Sequence, residues 1–172
     1  MKSLFFYSFR VCKVGIAEEN GAICRLFFDN GKMTGGFENA ETPLIKKAAA
    51  QLGEYFDGKR KKFDLPLVLH GTDFQLTVWK ALQNIPYGET RSYGQLAAIA
   101  GNPRASRAVG MANNRNPIAI IIPCHRVIGH DGSLTGYAGG LEVKRQLLEL
   151  EQGHQSFEFP NRSAMLRRQY DH

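Results

Sequence analysis

Apolar residues recur in two different patterns along the chain, and the pattern changes near residue 71. In the first part, residues 11–28 place apolar positions on either side of Asn20-Gly21, a dipeptide that accepts positive φ and favours a tight hairpin. Thr42 and Pro43 are typical of a helix N-cap and first turn, and helical spacing continues until Gly58. Residues 63–69 predict a last strand. The apolar stripe of the helix consists of Ile45, Ala48, Ala49, Leu52, Tyr55 and Phe56.

The second part of the chain is dominated by helical patterns. Thr72 and Ser92 each begin a capping box, which predicts a helix after each of them, the second one ending near Ala100. A turn at residues 101–102 precedes a third predicted helix at residues 103–113. Two short helices joined by a tight turn make a helix-turn-helix.

A run of apolar residues ends at the most reactive side chain in the sequence. Residues 118–122 are five consecutive apolar residues, which predict a buried strand, and Pro123 ends it. Cys124, His125 and Arg126 follow directly. Because the thiolate is the reactive form of cysteine and nearby positive charge favours it, this order indicates a nucleophile at the floor of a pocket. The alternative is a free cysteine that serves only as a small core residue.

The third predicted helix is thin, because most of its side chains are small. A thin helix can approach a duplex closely, and with few long donors it would bind with low sequence specificity. Arg107 is the long cation in its middle and could enter the base stack where a base has left. The alternative is an ordinary alanine-rich packing helix.

A last helix is predicted at residues 141–151, after a glycine-bearing loop at residues 137–140 whose backbone N–H groups can face a ligand. Lys144 and Glu151 lie on nearly one face of this helix. The carboxylate of Glu151 could orient His125 and complete a Cys-His-Glu relay. The alternative is that both residues belong to a solvated face.

Composition narrows the class of protein. The chain has 172 residues, 43% of them hydrophobic, and a formal net charge of +6. It is long enough for one large domain or two small ones, and its positive charge makes nucleic acid the first candidate partner.

Its three cysteines include no CxxC, so we expect a reducing compartment and no disulfide framework. Cys12 and Cys24 have no companions for a tetrahedral metal site. The apolar opening at residues 4–9 is too short for a secretory signal or a membrane span, so we expect a soluble intracellular protein.

The sequence Pro-Cys-His-Arg-Val at residues 123–127 resembles the active-site signature of the O6-alkylguanine-DNA alkyltransferases, or methylated-DNA–protein-cysteine methyltransferases. Further matches in the same order and spacing cover about residues 72–153, and the resemblance is looser before them. These matches lie at residues 74–79, 86–90, 92–97, 107–110, 113–117 and 137–144, and at Glu151.

The resemblance implies an α+β protein in two domains. Residues 1–71 would form a small N-terminal α/β domain of ribonuclease H-like fold. Residues 72–155 would form a mostly helical, winged helix-turn-helix domain that carries the DNA-binding and active sites. Residues 156–172 would be a C-terminal tail.

The resemblance also implies a role for each catalytic position. Cys124 would accept the alkyl group. His125 would deprotonate it through a water molecule and would be oriented by Glu151. Asn116 would tie the cysteine loop to the turn of the helix-turn-helix.

The DNA- and substrate-binding set implied by the resemblance is Tyr93, Arg107, Arg126, Val127, Tyr137, Ala138 and Lys144. In it, Tyr93 would contact the phosphate beside a flipped nucleotide, and Arg107 would fill the vacated stack. Tyr137 and Lys144 would flank the guanine pocket. The backbone N–H of Ala138 would donate to the base oxygen, while the carbonyls of Cys124 and Val127 would accept from its amine. Some relatives have serine where Ala138 stands and proline where Ala119 stands, and the second difference could alter the width of the pocket.

The expected activity is repair by direct reversal. One molecule would remove one alkyl group from O6-alkylguanine in duplex DNA, with O4-alkylthymine as a further candidate substrate. A stacked base is out of reach of a thiol, so the nucleotide must be flipped. Because a thioether is a poor leaving group, the cysteine would react once.

We expect a monomer that binds the minor groove of DNA without a cofactor or metal. It would lie in the cytoplasm, with the nucleoid in a bacterium, or in the nucleus of a eukaryote.

Three other functions remain open at this point. An alkyltransferase-like lesion binder would have another residue in place of Cys124. A helix-turn-helix transcriptional regulator would not need Cys124 and would prefer a particular DNA sequence. A Cys-His hydrolase would turn over repeatedly.

Overall fold

The computed structural model describes residues 2–31 and 35–153, and the predicted tail at residues 156–172 lies outside them. The N-terminal part is a four-stranded sheet in the order β3-β2-β1-β4, with one helix packed against it. Strands β1, β2 and β3 are antiparallel neighbours, and β4 pairs with β1 in parallel. The elements are β1 (Lys2–Ser8), β2 (Lys13–Glu19), β3 (Ala22–Phe28), β4 (Glu38–Asn39) and α1 (Pro43–Phe56).

Local signals predicted the hairpin between β2 and β3 and the start of α1. The hairpin between β2 and β3 turns at Asn20 and Gly21, whose φ angles are 50° and 83°. Thr42 caps α1 by accepting a hydrogen bond from the backbone N–H of Ile45 at 3.1 Å. Strand β1 was not predicted, because its apolar residues follow one another without the alternation that marks a half-buried strand.

The predicted strand at residues 63–69 is wrong. The segment forms no strand and pairs at Leu67, through a parallel bridge to Ile23 of β3. The bonds of this bridge run from the N–H of Ile23 to the carbonyl of Pro66 (2.8 Å) and from the N–H of Val68 to the carbonyl of Ile23 (3.0 Å). Pro66 has no N–H to extend a ladder.

The C-terminal part is mostly helical. It contains α2 (Asp73–Gln83), β5 (Arg91–Ser92), α3 (Tyr93–Ile99), α4 (Ser106–Asn114), a 3₁₀ turn (Cys124–Arg126), β6 (Val127–Ile128) and α5 (Leu141–Glu151). Both predicted capping boxes are present, at Thr72 and Ser92. Helix α4 begins later than predicted because Asn102 holds a turn before it: its side chain accepts from the N–H of Arg104 at 3.1 Å.

The predicted strand at residues 118–122 is also wrong, and its actual shape places the cysteine. Only Ile118 pairs, through a bridge to Leu26 of β3, and Ala119 donates its N–H to the carbonyl of Leu26 at 2.9 Å. The chain then turns at Ile120, which has a φ of 70°. The apolar run reflects burial in the shared core and not a strand, since Ile118, Ala119, Ile120 and Ile122 are all buried.

The two parts share one hydrophobic core. It joins β2, β3 and α1 to α2, α3, α4 and the loop that carries Cys124. The free edge of β3 is covered by residues 66–68 and 117–119, so the N-terminal sheet directly supports the cysteine loop. None of the helices in the described parts of the chain is long and apolar enough to cross a membrane.

Candidate active site

Cys124 opens the 3₁₀ turn at the floor of a small cavity. Its backbone N–H donates to the carbonyl of Ile122 at 2.8 Å, and the residue is buried. The cavity measures about 20 Å³, room for about one water molecule. Its lining residues are Phe28, Asn113, Asn114, Asn116, Ala119, Cys124, Tyr137 and Ala138. The sulfur therefore faces a space shared by β3, α4 and the loop before α5.

Burial determines whether the thiol of Cys124 is protonated in the free protein. It raises the pKa of Cys124 above its ordinary value, although a hydrogen bond from Asn116 and the charge of Lys144 both oppose the rise. The sequence suggested that adjacent positive charge would favour the thiolate. In the folded protein that effect is present but smaller than the cost of burying the charge. The thiol is therefore protonated at neutral pH and needs a base when it reacts.

His125 is the neighbouring base, and only one of its ring nitrogens has a protein partner among the described residues. Its Nε2 lies 2.7 Å from Oε2 of Glu151, while its Nδ1 is buried without a partner there. Burial lowers the pKa of His125 despite the opposing charge of Glu151, so the imidazole is neutral. A neutral imidazole with one nitrogen held by a carboxylate has the other free to accept a proton.

Glu151, at the end of α5, is buried at the centre of a dense network. Arg126 donates from Nε to Oε1 at 2.7 Å and from Nη2 to Oε2 at 3.1 Å. Tyr55 donates its hydroxyl to Oε2 at 2.5 Å, and Gly88 donates its backbone N–H to Oε1 at 3.3 Å. Burial alone would raise the pKa of Glu151, but the hydrogen bond from His125 and the hydrogen bonds and charge of Arg126 outweigh it and hold that pKa well below its usual range. The solvated-face alternative for Glu151 does not apply.

Arg126 does not have the place expected for a substrate-binding side chain. Besides its two bonds to Glu151, its Nη1 donates to the carbonyl of Ile85 at 2.7 Å, and the residue is buried. All three guanidinium nitrogens therefore bind protein atoms. The side chain packs against the relay and holds Glu151 in place, and a contact between Arg126 and the substrate stays a prediction.

Asn116 fixes the loop that leads to the cysteine. Its Nδ2 donates to the carbonyl of Ile122 at 2.7 Å, and its Oδ1 accepts from the N–H of Ile118 at 3.0 Å. Because Asn116 follows α4 after a single intervening residue, these bonds hold the loop against the end of that helix.

Of the remaining residues predicted to bind the substrate here, Tyr137 and Ala138 line the cavity, whereas Lys144 and Val127 do not. Lys144 is buried and donates from Nζ to the carbonyl of Thr135 at 2.8 Å. Burial lowers the pKa of Lys144 to about 8, against the attraction of Cys124. The ring of Tyr137 packs on Phe28, with centroids 5.4 Å apart, and Ala138 follows it at the cavity wall. Val127 is buried and begins β6 directly after the 3₁₀ turn.

Comparison with known proteins places this site in a family. A model of the 6-O-methylguanine DNA methyltransferase DNA-binding domain matches residues 73–153, and a model of the ribonuclease-like domain of the same enzymes matches residues 6–69. A Methanosarcina barkeri methylated-DNA–protein-cysteine methyltransferase is 65% identical over 111 residues, which are 64% of this chain and 70% of the relative. The chain belongs to the methylated-DNA–protein-cysteine methyltransferase family. The constitutive enzyme of Bacillus subtilis is 52% identical over 143 residues, or 79% of this chain and 87% of that one.

A solved structure of the Mycobacterium tuberculosis methyltransferase in complex with DNA has the same fold. It superposes with a TM-score of 0.83 at 46% identity and covers 88% of this chain and 93% of that chain. The methyltransferase fold thus combines a small N-terminal sheet domain with a helical C-terminal domain.

In this methyltransferase, the other predicted DNA-binding residues lie on helices α3 and α4. Arg107 is exposed on α4, and Tyr93 begins α3, where its hydroxyl accepts from Oγ1 of Thr135 at 3.0 Å. They form a region apart from the buried relay.

Sequence reasoning missed two residues of the methyltransferase site. Tyr55 was predicted as part of an apolar stripe, and nothing in its own helix indicates that its hydroxyl meets Glu151, 96 positions away. Asn113 was placed at the end of a helix and within the family match at residues 113–117 but was given no role, whereas its Nδ2 is 3.5 Å from the carbonyl of Cys124. For Tyr55, the signal was its hydroxyl, since a buried tyrosine usually needs a hydrogen-bond partner.

Proposed function

We propose that this protein repairs alkylated DNA by moving an alkyl group from O6-alkylguanine to the sulfur of Cys124, once per molecule. The observation that carries the proposal is the arrangement around that sulfur. A buried thiol faces a cavity, and beside it a neutral imidazole is held by a buried carboxylate at 2.7 Å with its second nitrogen unpaired among the described residues.

The proton moves first. A water molecule between Sγ of Cys124 and Nδ1 of His125 would pass the thiol proton to the imidazole, and the resulting imidazolium would be stabilised by Glu151. The buried thiol therefore stays protonated at rest and is ionised only during the reaction. Arg126 takes no part in this transfer, since its guanidinium is fully bound to Glu151 and Ile85.

The displacement follows. The thiolate attacks the alkyl carbon, a C–S bond forms, and the bond between that carbon and O6 breaks with its electron pair going to the guanine. The departing guanine takes up one proton, and His125 gives up the proton that it took from the thiol, so the net reaction moves one proton from the thiol to the base. The product is a thioether. Because a thiolate is a poor leaving group from a thioether, the alkyl group stays on Cys124 and each molecule reacts once.

The reaction requires the base to leave its helix. A cavity of about 20 Å³ cannot hold a purine, so the flipped nucleotide would enter as the wall around Tyr137 and Ala138 gives way. We assign Arg107 to the vacated stack and Tyr93 to the neighbouring phosphate, with α4 in the minor groove. The backbone N–H of Ala138 and the carbonyls of Cys124 and Val127 would read the base. Lys144 and Tyr137 would flank it.

Intact-protein mass spectrometry tests the proposal directly. The protein is incubated with duplex DNA containing O6-methylguanine, and with the same duplex containing guanine. One added methyl mass, on the peptide that contains Cys124 and only with the lesion, is the expected result. An unchanged protein mass with a persisting lesion would reject the function.

Two variants sharpen this test. Cys124→Ala should abolish transfer and retain DNA binding. Cys24→Ala removes another buried cysteine, in the N-terminal sheet, and should transfer normally. Repeated turnover on a small ester or peptide would instead favour the hydrolase alternative, and a strong preference for one DNA sequence without methyl transfer would favour the regulator. A duplex with O4-methylthymine measures the substrate range.

A further inference from the structure

Tyr55 reaches the relay from the other half of the molecule. It lies in α1, which packs on the N-terminal sheet, and its side chain is completely buried. Its ring is held by neighbouring aromatic rings, with centroid distances of 5.6 Å to Phe56, 5.6 Å to Phe63 and 6.2 Å to Tyr87. The position of the hydroxyl is therefore fixed by packing before any substrate binds.

The hydroxyl of Tyr55 and the imidazole of His125 bind the same oxygen. Oε2 of Glu151 accepts from Tyr55 at 2.5 Å and lies 2.7 Å from Nε2 of His125, and the two donors are 3.5 Å apart. Nη2 of Arg126 also donates to this oxygen, at 3.1 Å. Donors on one carboxylate oxygen share its negative charge, so the strength of the Tyr55 bond influences the proton affinity of His125.

We propose that Tyr55 is a positioning residue, which adjusts the proton affinity of His125 through Glu151 and so couples the N-terminal domain to alkyl transfer. The inference rests on the proposed function for its effect on rate. Burial raises the pKa of Tyr55 well above its ordinary value, so the hydroxyl remains a donor throughout the neutral range.

The charges around His125 give the direction of the effect. The titratable and charged groups facing it are Tyr55 of α1, Tyr87 before β5, Cys124 and Arg126 of the 3₁₀ turn, Tyr137 of the following loop, and Lys144 and Glu151 of α5. Arg126 and Lys144 disfavour the imidazolium, and Glu151 favours it. Without the Tyr55 hydroxyl, Oε2 would carry more uncompensated charge, and the pKa of His125 would rise.

Tyr55→Phe tests this, because it removes one hydroxyl and keeps the packed ring. The rate of single-turnover methyl transfer is measured as a function of pH, together with an NMR titration of the His125 ring. Since the neutral imidazole accepts the thiol proton, the acid limb of the rate profile should move to higher pH by about half a unit to one unit, the effect of one hydrogen bond. The plateau rate should change by less than about threefold, as the His125–Glu151 bond remains.

Tyr7→Phe is the matched control. Tyr7 also donates its hydroxyl to a carboxylate, that of Glu41 at 2.6 Å, at the exposed side of the N-terminal sheet. Its removal should leave the pH profile in place. If Tyr55→Phe lowered the rate equally at every pH, or left both the profile and the His125 titration unshifted, Tyr55 would have only a structural role.

A second variant covers poor folding of Tyr55→Phe. Incorporating 3-fluorotyrosine at position 55 keeps the hydroxyl and makes it a stronger donor, so the acid limb should move to lower pH. An unshifted or oppositely shifted profile would overturn the inference. If the unmodified protein transferred no methyl group, the proposed function would have failed, while the His125 titration would still decide whether Tyr55 acts on the relay.

Discussion

The relay beneath Cys124 and the exposed face of α4 differ in how far the protein itself completes their interactions. The side chain of Glu151 is fully buried, and every contact that it needs is made inside the fold. On α4, Arg107 is exposed and Met111 is 61% exposed. We therefore expect the first region to contribute to both stability and chemistry, and the second to bind DNA. Substitutions in the relay should affect folding and transfer together, and those on α4 should affect transfer or binding alone.

Glu151→Gln should give the largest effect. The variant leaves the guanidinium of Arg126 buried without its counter-charge, which costs about 3–5 kcal/mol of the free energy of unfolding. It also removes the group that stabilises the His125 imidazolium, so the transfer rate should fall by roughly 10²–10⁴-fold. Urea denaturation and single-turnover kinetics measure the two losses.

Glu89→Gln is the control for this variant. Glu89 also pairs with an arginine, at 3.1 Å from Arg91, but its side chain is 53% exposed. The change should cost no more than about 1 kcal/mol. Similar losses in both variants would mean that burial does not distinguish the relay from a surface ion pair.

Acid should reduce the contribution of Glu151 to the free energy of unfolding, whereas the exposed face of α4 makes no comparable contribution. The pKa of Glu151 is lowered in the folded protein, so its contribution to stability is complete above the unfolded-state value of 4.5 and is lost as the pH falls below it towards the folded-state pKa. The free energy of unfolding should therefore decrease on acidification below pH 4.5, and Glu151→Gln should show a shallower decrease. Parallel curves for the two proteins would contradict this assignment.

Arg107→Ala should affect function without affecting folding. If Arg107 fills the vacated stack as proposed, loss of its side chain should slow transfer by about 10- to 100-fold, since flipping costs a few kcal/mol. The free energy of unfolding should stay within about 0.5 kcal/mol of the original. Lys47→Ala, an exposed cation on α1, is the control and should leave transfer unchanged. A rate unaffected by Arg107→Ala would remove this residue from the flipping step.

The same contrast explains which parts of the molecule could be predicted from sequence. The capping boxes at Thr72 and Ser92 and the Asn20-Gly21 turn were predicted correctly, because each depends on neighbours a few residues away. The strand at residues 118–122 was wrong because an apolar run records burial, and burial does not fix backbone geometry. The strand at residues 63–69 was wrong because Pro66 has no N–H to extend a ladder, and the segment is only partly buried. The ribonuclease H-like and winged descriptions of the domains, and boundaries at residues 71 and 155, stay predictions.

The site shows the same limit. The resemblance provided Cys124, His125 and Glu151, and the structure brings His125 to Glu151 beside the cysteine. It could not supply Tyr55, whose partner is distant in sequence, or the inward direction of the Arg126 side chain. Both depend on how α1, the 3₁₀ turn and α5 pack together.

Lys144→Met should reduce the reactivity of Cys124 by less than Glu151→Gln or Arg107→Ala reduces the rate of transfer. The charge of Lys144 lowers the pKa of Cys124, so its loss should raise that pKa and slow alkylation of the thiol by iodoacetamide about three- to tenfold at neutral pH. Because the pKa of Lys144 is about 8, the difference should shrink at higher pH, where Lys144 is neutral in the unmodified protein. Lys80→Met, at an exposed position of α2, should react like the unmodified protein. A difference that persisted at high pH would indicate a packing effect.

Met111→Ala should give the smallest effect and separates shape from charge on α4. Met111 lies one turn after Arg107, so both side chains project from the same exposed face. Its loss should leave the free energy of unfolding within about 0.5 kcal/mol and weaken DNA binding only a few-fold. Binding by the Met111 variant should keep the salt dependence of the unmodified protein, because no phosphate contact is lost.

Arg107→Ala should reduce the slope of log affinity against log salt by about 0.9 if Arg107 neutralises a phosphate, and by less if it lies within the base stack. Fluorescence anisotropy over a range of salt concentrations distinguishes these outcomes, and a reduced slope for Met111→Ala would show that this face binds DNA through a different set of contacts.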